Sequence, residues 1–230
     1  MTPGDDDELL QRFGADAWFA ALGPGLQRAL LAHGQVRSVA QGGYVFRRGD
    51  APCGMYGVVS GYLRASTLSV DGREAILTVL EPADWFGEAS SSDGLARSHD
   101  VTGCTDAVVV HVPHAAFEAL MERPGFPAAI TRLFARHTRV TYAMLEDAAL
   151  RTTRARIVRR LLRLSRGEAA MGAKDRRVIP ISQETLAMMV GVTRQTLALE
   201  LRGLVGEGAL ALGYARIELA SIERLEALAE

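Results

Sequence analysis

Two incompatible periods of apolar residues divide this chain, and that change restricts its fold more than any other feature. From about Gly34 to Pro113 the apolar residues come in short runs rich in β-branched and aromatic side chains, at 44–46, 56–59, 62–65, 75–80 and 107–112. Such side chains fit a pleated, half-buried surface. Turn residues separate the runs: Gly42-Gly43, Gly49-Asp50, Ser60-Gly61 and Asp71-Gly72. Asp71-Gly72 reads as a two-residue hairpin turn, because glycine accepts a positive φ. Several short strands at close spacing predict an all-β barrel or sandwich. After Pro127 the period becomes 3.6. Ile130, Phe134, His137, Thr141, Met144 and Ala148 recur at alternating spacings of four and three, predicting one long helix. That seam suits pairing with a second copy of the helix, the alternative being that it packs on its own β-domain.

Outside these two regions, residues up to about Asp16 read as polar and loose. Trp18, Phe19, Leu22, Leu26, Leu30 and Leu31 then recur at helical spacing. No apolar run approaches the ~18–20 residues that span a bilayer. Residues 1–8 are acidic where a secretory signal is basic and then apolar. The chain reads as soluble and cytoplasmic, without a membrane partner. Its two cysteines, Cys53 and Cys104, are too few for a disulfide scaffold, a four-cysteine zinc site or a four-cysteine iron–sulfur cluster. They read as reduced thiols acting as small hydrophobes, with no metal site.

Charge is distributed unevenly. Residues 1–150 hold 12 Arg against 18 acidic residues, whereas residues 151–230 hold 14 basic against 9 acidic residues. An acidic part joined to a basic part predicts a sensor coupled to a module that meets a polyanion. Seven arginines crowd residues 151–166 around Ile157, Leu161 and Leu164. This is an amphipathic helix, most of whose arginines are solvated and some of which are available to phosphates.

Further on, Ser182 can cap a helix that Gly191 ends, and Thr193 can cap a second reaching Leu201. Ala187 is small where two helices touch, Gly191 permits the turn, and Leu197 returns to the core. That is helix-turn-helix spacing. Residues 209–219 read as a hairpin turning at Gly213-Tyr214, which makes a wing. The start of the second helix offers Thr193, Arg194 and Gln195. Arginine pairs with guanine through two hydrogen bonds, and glutamine with adenine. Leu199 suits only a thymine methyl, so more of the affinity is expected from phosphate contacts.

In the β-region, Gly87-Glu88 and Arg97-Ser98 flank a Gly/Ser-rich loop. A glycine lets backbone N–H groups approach an anion, an arginine holds a phosphate, and a carboxylate suits a sugar hydroxyl. The pair reads as a sugar-phosphate cradle or as a surface loop with an ordinary Arg–Glu ion pair.

These parts, in this order, resemble the Crp/Fnr family of bacterial transcription regulators over about residues 17–220. The resemblance rests on Gly43-Tyr-Val-Phe-Arg-Arg-Gly-Asp50, Tyr56-Gly-Val-Val-Ser-Gly61, Phe86-Gly-Glu88, Arg97-Ser98 and the stretch from Ser182 to Leu197. It implies an α+β chain: a jelly-roll sensor of the cyclic-nucleotide-binding type (17–126), a dimerisation helix (127–150) and a winged helix-turn-helix (151–230). Glu88 would bind the ribose 2′-hydroxyl and Arg97 and Ser98 the cyclic phosphate, next to Gly87. Thr141 would meet the base, and Tyr142 occupies a position that reaches across the dimer. The implied partners are double-stranded DNA, a second copy of the chain, RNA polymerase and a small nucleotide effector, cyclic AMP or another cyclic nucleotide.

Three positions depart from the family pattern. Ala89-Ser-Ser-Ser92 replaces apolar residues, His99-Asp100 follows the Arg-Ser pair, and Tyr142 is bulky. They leave open a ligand-independent DNA binder with a degenerate pocket, or a regulator answering to a cyclic dinucleotide through the basic helix. Another class, a nucleotide-binding subunit docked on a partner protein, is opposed by the helix-turn-helix. Haem sensing would draw on His33, His99, His111, His114 or His137, most of which read as surface or seam residues. No catalytic residue is expected, since nothing completes a site around Glu88 and His99.

Overall fold

A computed structural model describes residues 3–167 and 176–230, so the first two residues of the acidic start lie outside the described residues. The chain divides into two compact units, Met1–Thr67 with Leu77–Thr138, and Leu68–Ile76 with Arg139–Glu230.

The first unit opens with a helix, not a loose segment. Helix α1 (Pro3–Phe13) carries Leu9 and Phe13 into the core. Phe13 is fully buried, 4.7 Å from the Trp85 ring and 5.6 Å from Phe19. The stretch read as one helical pattern is two helices, α2 (Ala17–Ala20) and α3 (Pro24–Ala32). Asp16 caps α2 by accepting the Phe19 N–H, and Pro24 starts α3, where its missing N–H costs nothing.

Eight strands come next: β1 (Gln35–Val39), β2 (Tyr44–Phe46), β3 (Gly54–Ser60), β4 (Leu63–Leu68), β5 (Glu74–Leu80), β6 (Trp85–Phe86), β7 (Asp100–Gly103) and β8 (Ala107–Pro113). They form two four-stranded sheets, ordered β1-β8-β3-β6 and β2-β7-β4-β5. This is the expected jelly-roll. Phe46, Tyr56, Val58, Leu63, Phe86, Val101 and Val109 make one apolar cluster drawn from both sheets. The β4–β5 turn is one residue longer than predicted. Ser69 N–H bonds to the Arg73 carbonyl and Gly72 N–H to the Ser69 carbonyl, leaving a three-residue loop with Gly72 at φ +80°.

Two short helices, α4 (Glu88–Asp93) and α5 (His114–Met121), precede the long helix α6 (Phe126–Leu150). The predicted seam is corrected over its first half. Ile130 is buried and Phe134 packs with it in the first unit's own core, beside Phe126, Ala129 and Leu133. Arg136 joins them through a buried ion pair with Asp16 at 2.6 Å. Thr141 and Ala148 of the predicted seam are exposed, and the exposed strip is widened by residues one place along. Thr131, Thr138, Tyr142, Leu145 and Ala149 face solvent, with Tyr142 and Leu145 66% and 63% exposed.

The second unit contains the end of α6, then α7 (Thr153–Ser165), β9 (Val178–Ile179), α8 (Gln183–Val190), α9 (Arg194–Gly206), β10 (Leu210–Gly213), β11 (Arg216–Leu219) and α10 (Ile222–Leu228). Leu161 and Leu164 of α7, Leu186, Leu197, Leu201, Leu204, Ile217 and Leu225 are shared in one core. The wing is a three-stranded sheet, β10-β11-β9. Its hairpin turns at Tyr214-Ala215, one residue beyond the expected place, because Gly213 pairs with Arg216.

Every arginine of the basic stretch has a partner within the chain. Arg159 and Arg163 hold Asp147, Arg154 holds Glu207 and Arg166 holds Glu226. Arg160 donates to Met144 Sδ, Arg156 to the Val190 carbonyl and Arg151 to the Glu230 carbonyl. The expectation that most of them are merely solvated therefore fails. They fasten α7 to its surroundings in the second unit.

Candidate functional site

Strand β6 is followed by Gly87, whose backbone turns into α4 at φ +89°. Side chains rarely adopt that conformation, and a Cβ here would lie 3.1 Å from Arg97 Nη1 and 3.2 Å from the Gly54 carbonyl oxygen. The positive φ favours glycine, and the close neighbours leave little room for a side chain. Next to it Glu88 is buried, its Oε1 2.8 Å from Nδ1 of His137 on α6.

Arg97 approaches from the opposite side of the loop. Its backbone is fixed at both ends: its N–H donates to the Asp50 carbonyl, and its carbonyl accepts the Gly49 N–H, each at 2.8 Å. The side chain is 3% exposed. Nη1 donates to the Gly87 carbonyl at 2.7 Å, while Nη2 donates to the Gly54 carbonyl and to Cys53 Sγ. The guanidinium carbon lies 4.2 Å from the Phe46 ring centroid, a cation–π distance.

The structure thus brings Gly87, Glu88 and Arg97 together. Ser98 is exposed beside them, its Oγ paired with His99 Nδ1 at 2.9 Å. Thr141 and Tyr142 are exposed on the part of α6 that belongs to the second unit. Asp100, which the sequence sets near the proposed phosphate, accepts the Arg48 backbone N–H at 2.8 Å. Ser91 Oγ donates to the Gly87 carbonyl and stabilises the turn itself.

Sequence reasoning missed four residues of this site. Phe46 reads as one more strand aromatic, and Gly54 as one more glycine. Cys53, read as a small hydrophobe, touches both Arg97 and the Tyr56 hydroxyl. His137 reads as a seam residue. Nothing local to any of them carries the signal. His111 is another correction to the histidine reading. It is a core residue whose Nε2 lies 2.6 Å from the Cys53 carbonyl oxygen, with its ring stacked on Tyr56 at 4.6 Å. Burial pushes His111 and His99 below the usual imidazole range and raises the Tyr56 hydroxyl. Among the described residues, no cluster of three or more His, Cys, Asp or Glu could hold a metal. No helix among them is long and apolar enough to cross a membrane.

The second candidate surface is α9. Ser182 caps α8 by accepting the Thr185 N–H, and Gly191 ends it at φ +72°. Thr193 caps α9 by accepting the Thr196 N–H at 3.1 Å. Leu197, Leu201 and Leu204 are buried, which turns the opposite face outward. Thr193, Arg194, Gln195 and Leu199 are all exposed, Leu199 at 63%. Arg202, exposed one turn beyond Leu199 on the same face, was not singled out in the sequence. The helical period was its signal, since 195, 199 and 202 share a stripe.

Comparison with known proteins matches the two regions that contain these surfaces. Residues 36–124 match the model of the cyclic nucleotide-binding domain, and residues 155–228 that of the Crp-like helix-turn-helix domain. The chain is 29% identical over 221 residues to a "CRP-like cAMP-activated global transcriptional regulator" of Mycobacterium tuberculosis, covering 95% of this chain and 97% of that one. It is 29% identical over 212 residues to the "Cyclic AMP receptor protein" of Thermus thermophilus, covering 92% and 95%. Among solved structures, FixK2 from Bradyrhizobium japonicum shares the fold with a TM-score of 0.77 at 21% identity, covering 86% and 98%. With a nucleotide-binding-type β-roll, a long helix and a winged helix-turn-helix in that order, the chain belongs to the Crp/Fnr family of transcription regulators.

Proposed function

We propose that the chain acts as a homodimeric, sequence-specific DNA-binding regulator switched by a cyclic nucleotide in the β-roll. The observation that carries this is the outward face of α9, which presents Arg194, Gln195, Leu199 and Arg202 on a helix capped by Thr193. Arg194 and Gln195 are suited to base edges, and Thr193 and Arg202 to phosphates. The exposed strip through Thr138, Tyr142 and Leu145 supports pairing of two long helices. In the sensor, Glu88 and Arg97 supply the sugar and phosphate contacts, and both relatives are named for cyclic AMP. The ligand acts through its different affinity for two arrangements of the dimer.

The test is selection from a pool of random duplexes with and without cyclic AMP, for the full chain and for Arg97→Ala. The expected outcome is cyclic-AMP-dependent enrichment of two-fold symmetric sites whose halves lie about one DNA turn (~34 Å) apart. Arg97→Ala should lose the dependence on cyclic AMP. Failure to enrich any sequence overturns the proposal.

One observation favours a second reading, a DNA binder that needs no ligand. Arg97 already donates to two carbonyl oxygens, and Glu88 is engaged by His137, so the cradle's charges have partners from the chain itself. Equal enrichment with and without cyclic AMP would favour it. A cyclic-dinucleotide response through the basic helix has less support, because all seven arginines are engaged.

A further inference from the structure

Strand β8 separates two surfaces of the sensor unit. Ala107 and Val109 join the apolar cluster between the sheets, whereas Val110 and Val112 belong to the core under the helices. By the two-residue period of a strand, Val108 shares the helix-covered face. So does Val36, which stands opposite Val110 in the β1–β8 pairing. The helices bury Val110 completely, and there their cover stops: Val36 is 51% exposed and Val108 is half-buried. An apolar sheet face thus runs out from under its own core.

Helix α1 overhangs that face and encloses a cavity of about 730 Å³ with it. Leu9, Val36, Val59 and Val108 supply its apolar lining, and Glu8 and Arg12 its two charged groups. Gln35 and Ser60 add uncharged polar groups, and every lining residue belongs to the first unit. The volume lies in the ~300–1,000 Å³ range of small-molecule sites. The cavity is separate from the nucleotide cradle, whose Arg97 lies over Phe46 of the cluster between the sheets.

The charged pair decides which ligand suits the cavity. Arg12 directs both Nε and Nη2 to one oxygen of Glu8, at 3.1 and 2.8 Å. Both side chains are open to solvent, and an exposed pair four residues apart holds weakly. The carboxylate of a ligand can therefore take the place of Glu8 on the guanidinium, while Glu8 turns to water. A guanidinium fits a carboxylate through two parallel bonds and is more weakly hydrated than an ammonium. Glu8 offers a cationic ligand no matching fork. An apolar body attached to the carboxylate then removes Val36 and Val108 from water.

We infer that the sensor unit carries a second small-molecule site, between α1 and the β1-β8-β3 face, that takes an aliphatic carboxylate with its head on Arg12 and its chain on Val36, Val59 and Val108. Calorimetric titration of the full chain with hexanoate, decanoate and tetradecanoate, below their micellar concentrations, tests this. Decanol and decylamine serve as the neutral and cationic counterparts of decanoate. The expected result is saturable binding of one carboxylate per chain, with decanoate bound about tenfold more tightly than decanol or decylamine. Arg12→Met keeps an apolar stem and removes the fork. It should weaken decanoate about tenfold and leave decanol unchanged, which also verifies that the variant is folded. Val36→Trp fills the cavity from an exposed position and should abolish binding, whereas Glu8→Gln removes the competitor and should tighten it. Absence of saturable binding by all three acids overturns the inference. So does decanoate binding that either Arg12→Met or Val36→Trp leaves at wild-type strength, and so does decanol or decylamine bound as tightly as decanoate. Each of these results leaves the DNA-binding and nucleotide readings standing.

Discussion

Replacing Asp84 with Asn should change how the sensor unit's stability depends on pH. Asp84 is 1% exposed. Its Oδ2 accepts the Glu81 backbone N–H at 2.8 Å, and Oδ1 has no hydrogen-bond partner. Burial pushes its carboxyl up to about 8, against the pull of the backbone hydrogen bond, and Glu81 adds to the rise. The folded state thus holds a proton that the unfolded chain gives up above pH ~4. The stabilising contribution is complete below the unfolded value and is lost as pH rises toward the folded one. For one proton the slope is about 1.4 kcal/mol per pH unit, so on the order of 4 kcal/mol disappears between about pH 5 and about pH 8. Asp84→Asn keeps an acceptor for the Glu81 N–H and has no proton to lose. His99 and His111, pushed down by burial, give the opposite slope, stability gained as pH rises, in both proteins. They cancel in the difference.

The assay is urea unfolding followed by tryptophan fluorescence. Both tryptophans, Trp18 and Trp85, are buried in the first unit's core, so the signal reports that unit alone. With m of about 1–3 kcal/mol/M, the effect moves the midpoint by more than ~1 M across the range. The stability of Asp84→Asn relative to the wild type should rise by about 1.4 kcal/mol per pH unit until the pH nears the folded value. Two curves that run parallel over the whole range would refute the reasoning.

Phe13→Ala should cost the sensor unit ~3–5 kcal/mol in the same assay, since it empties a fully buried site against Trp85. A loss below about 1 kcal/mol would place α1 outside the core. Asp147→Asn leaves Arg159 and Arg163 facing a neutral amide and should destabilise the second unit by ~3–5 kcal/mol, read by thermal melting in circular dichroism. Arg194→Ala should cost ~1–3 kcal/mol and relax discrimination at one base pair of the selected site. Arg202→Ala should weaken all sequences alike and lower the salt slope by about 1, and reversal of the two patterns would exchange their roles.

How far the sequence reaches depends on whether the determining contact is local. Ser182, Gly191 and Thr193 lie at the helix ends predicted for them because a cap needs only residues three or four apart. Strands β3, β4, β5 and β8 are legible because each carries enough β-branched and apolar residues to show its period. Strands β1, β6 and β7 are short or polar, and they exist through pairing with those neighbours. The two turns that differ from expectation, one longer and one displaced by a residue, do so for a similar reason. Register is set across the hairpin, by Ser69 with Arg73 and Gly213 with Arg216, as well as by the glycine in the turn.

The site divides along the same line. Gly87, Glu88 and Arg97 are recognisable by type and order, and so are Arg194 and Gln195 at the start of a capped helix. What Arg97 faces is not. Its direction is decided by Gly54, Cys53 and Phe46, brought to it by the sheets. The long helix offers two apolar registers one residue apart, and periodicity does not distinguish them. Packing of Ile130 and Phe134 on the sensor core chooses one, leaves the strip through Tyr142 and Leu145 outward, and turns His137 onto Glu88. Local chemistry is written in the sequence, where neighbours along the chain are neighbours in space. The partner of a buried side chain is decided only by the tertiary structure, because close packing joins residues whose separation along the chain carries no period.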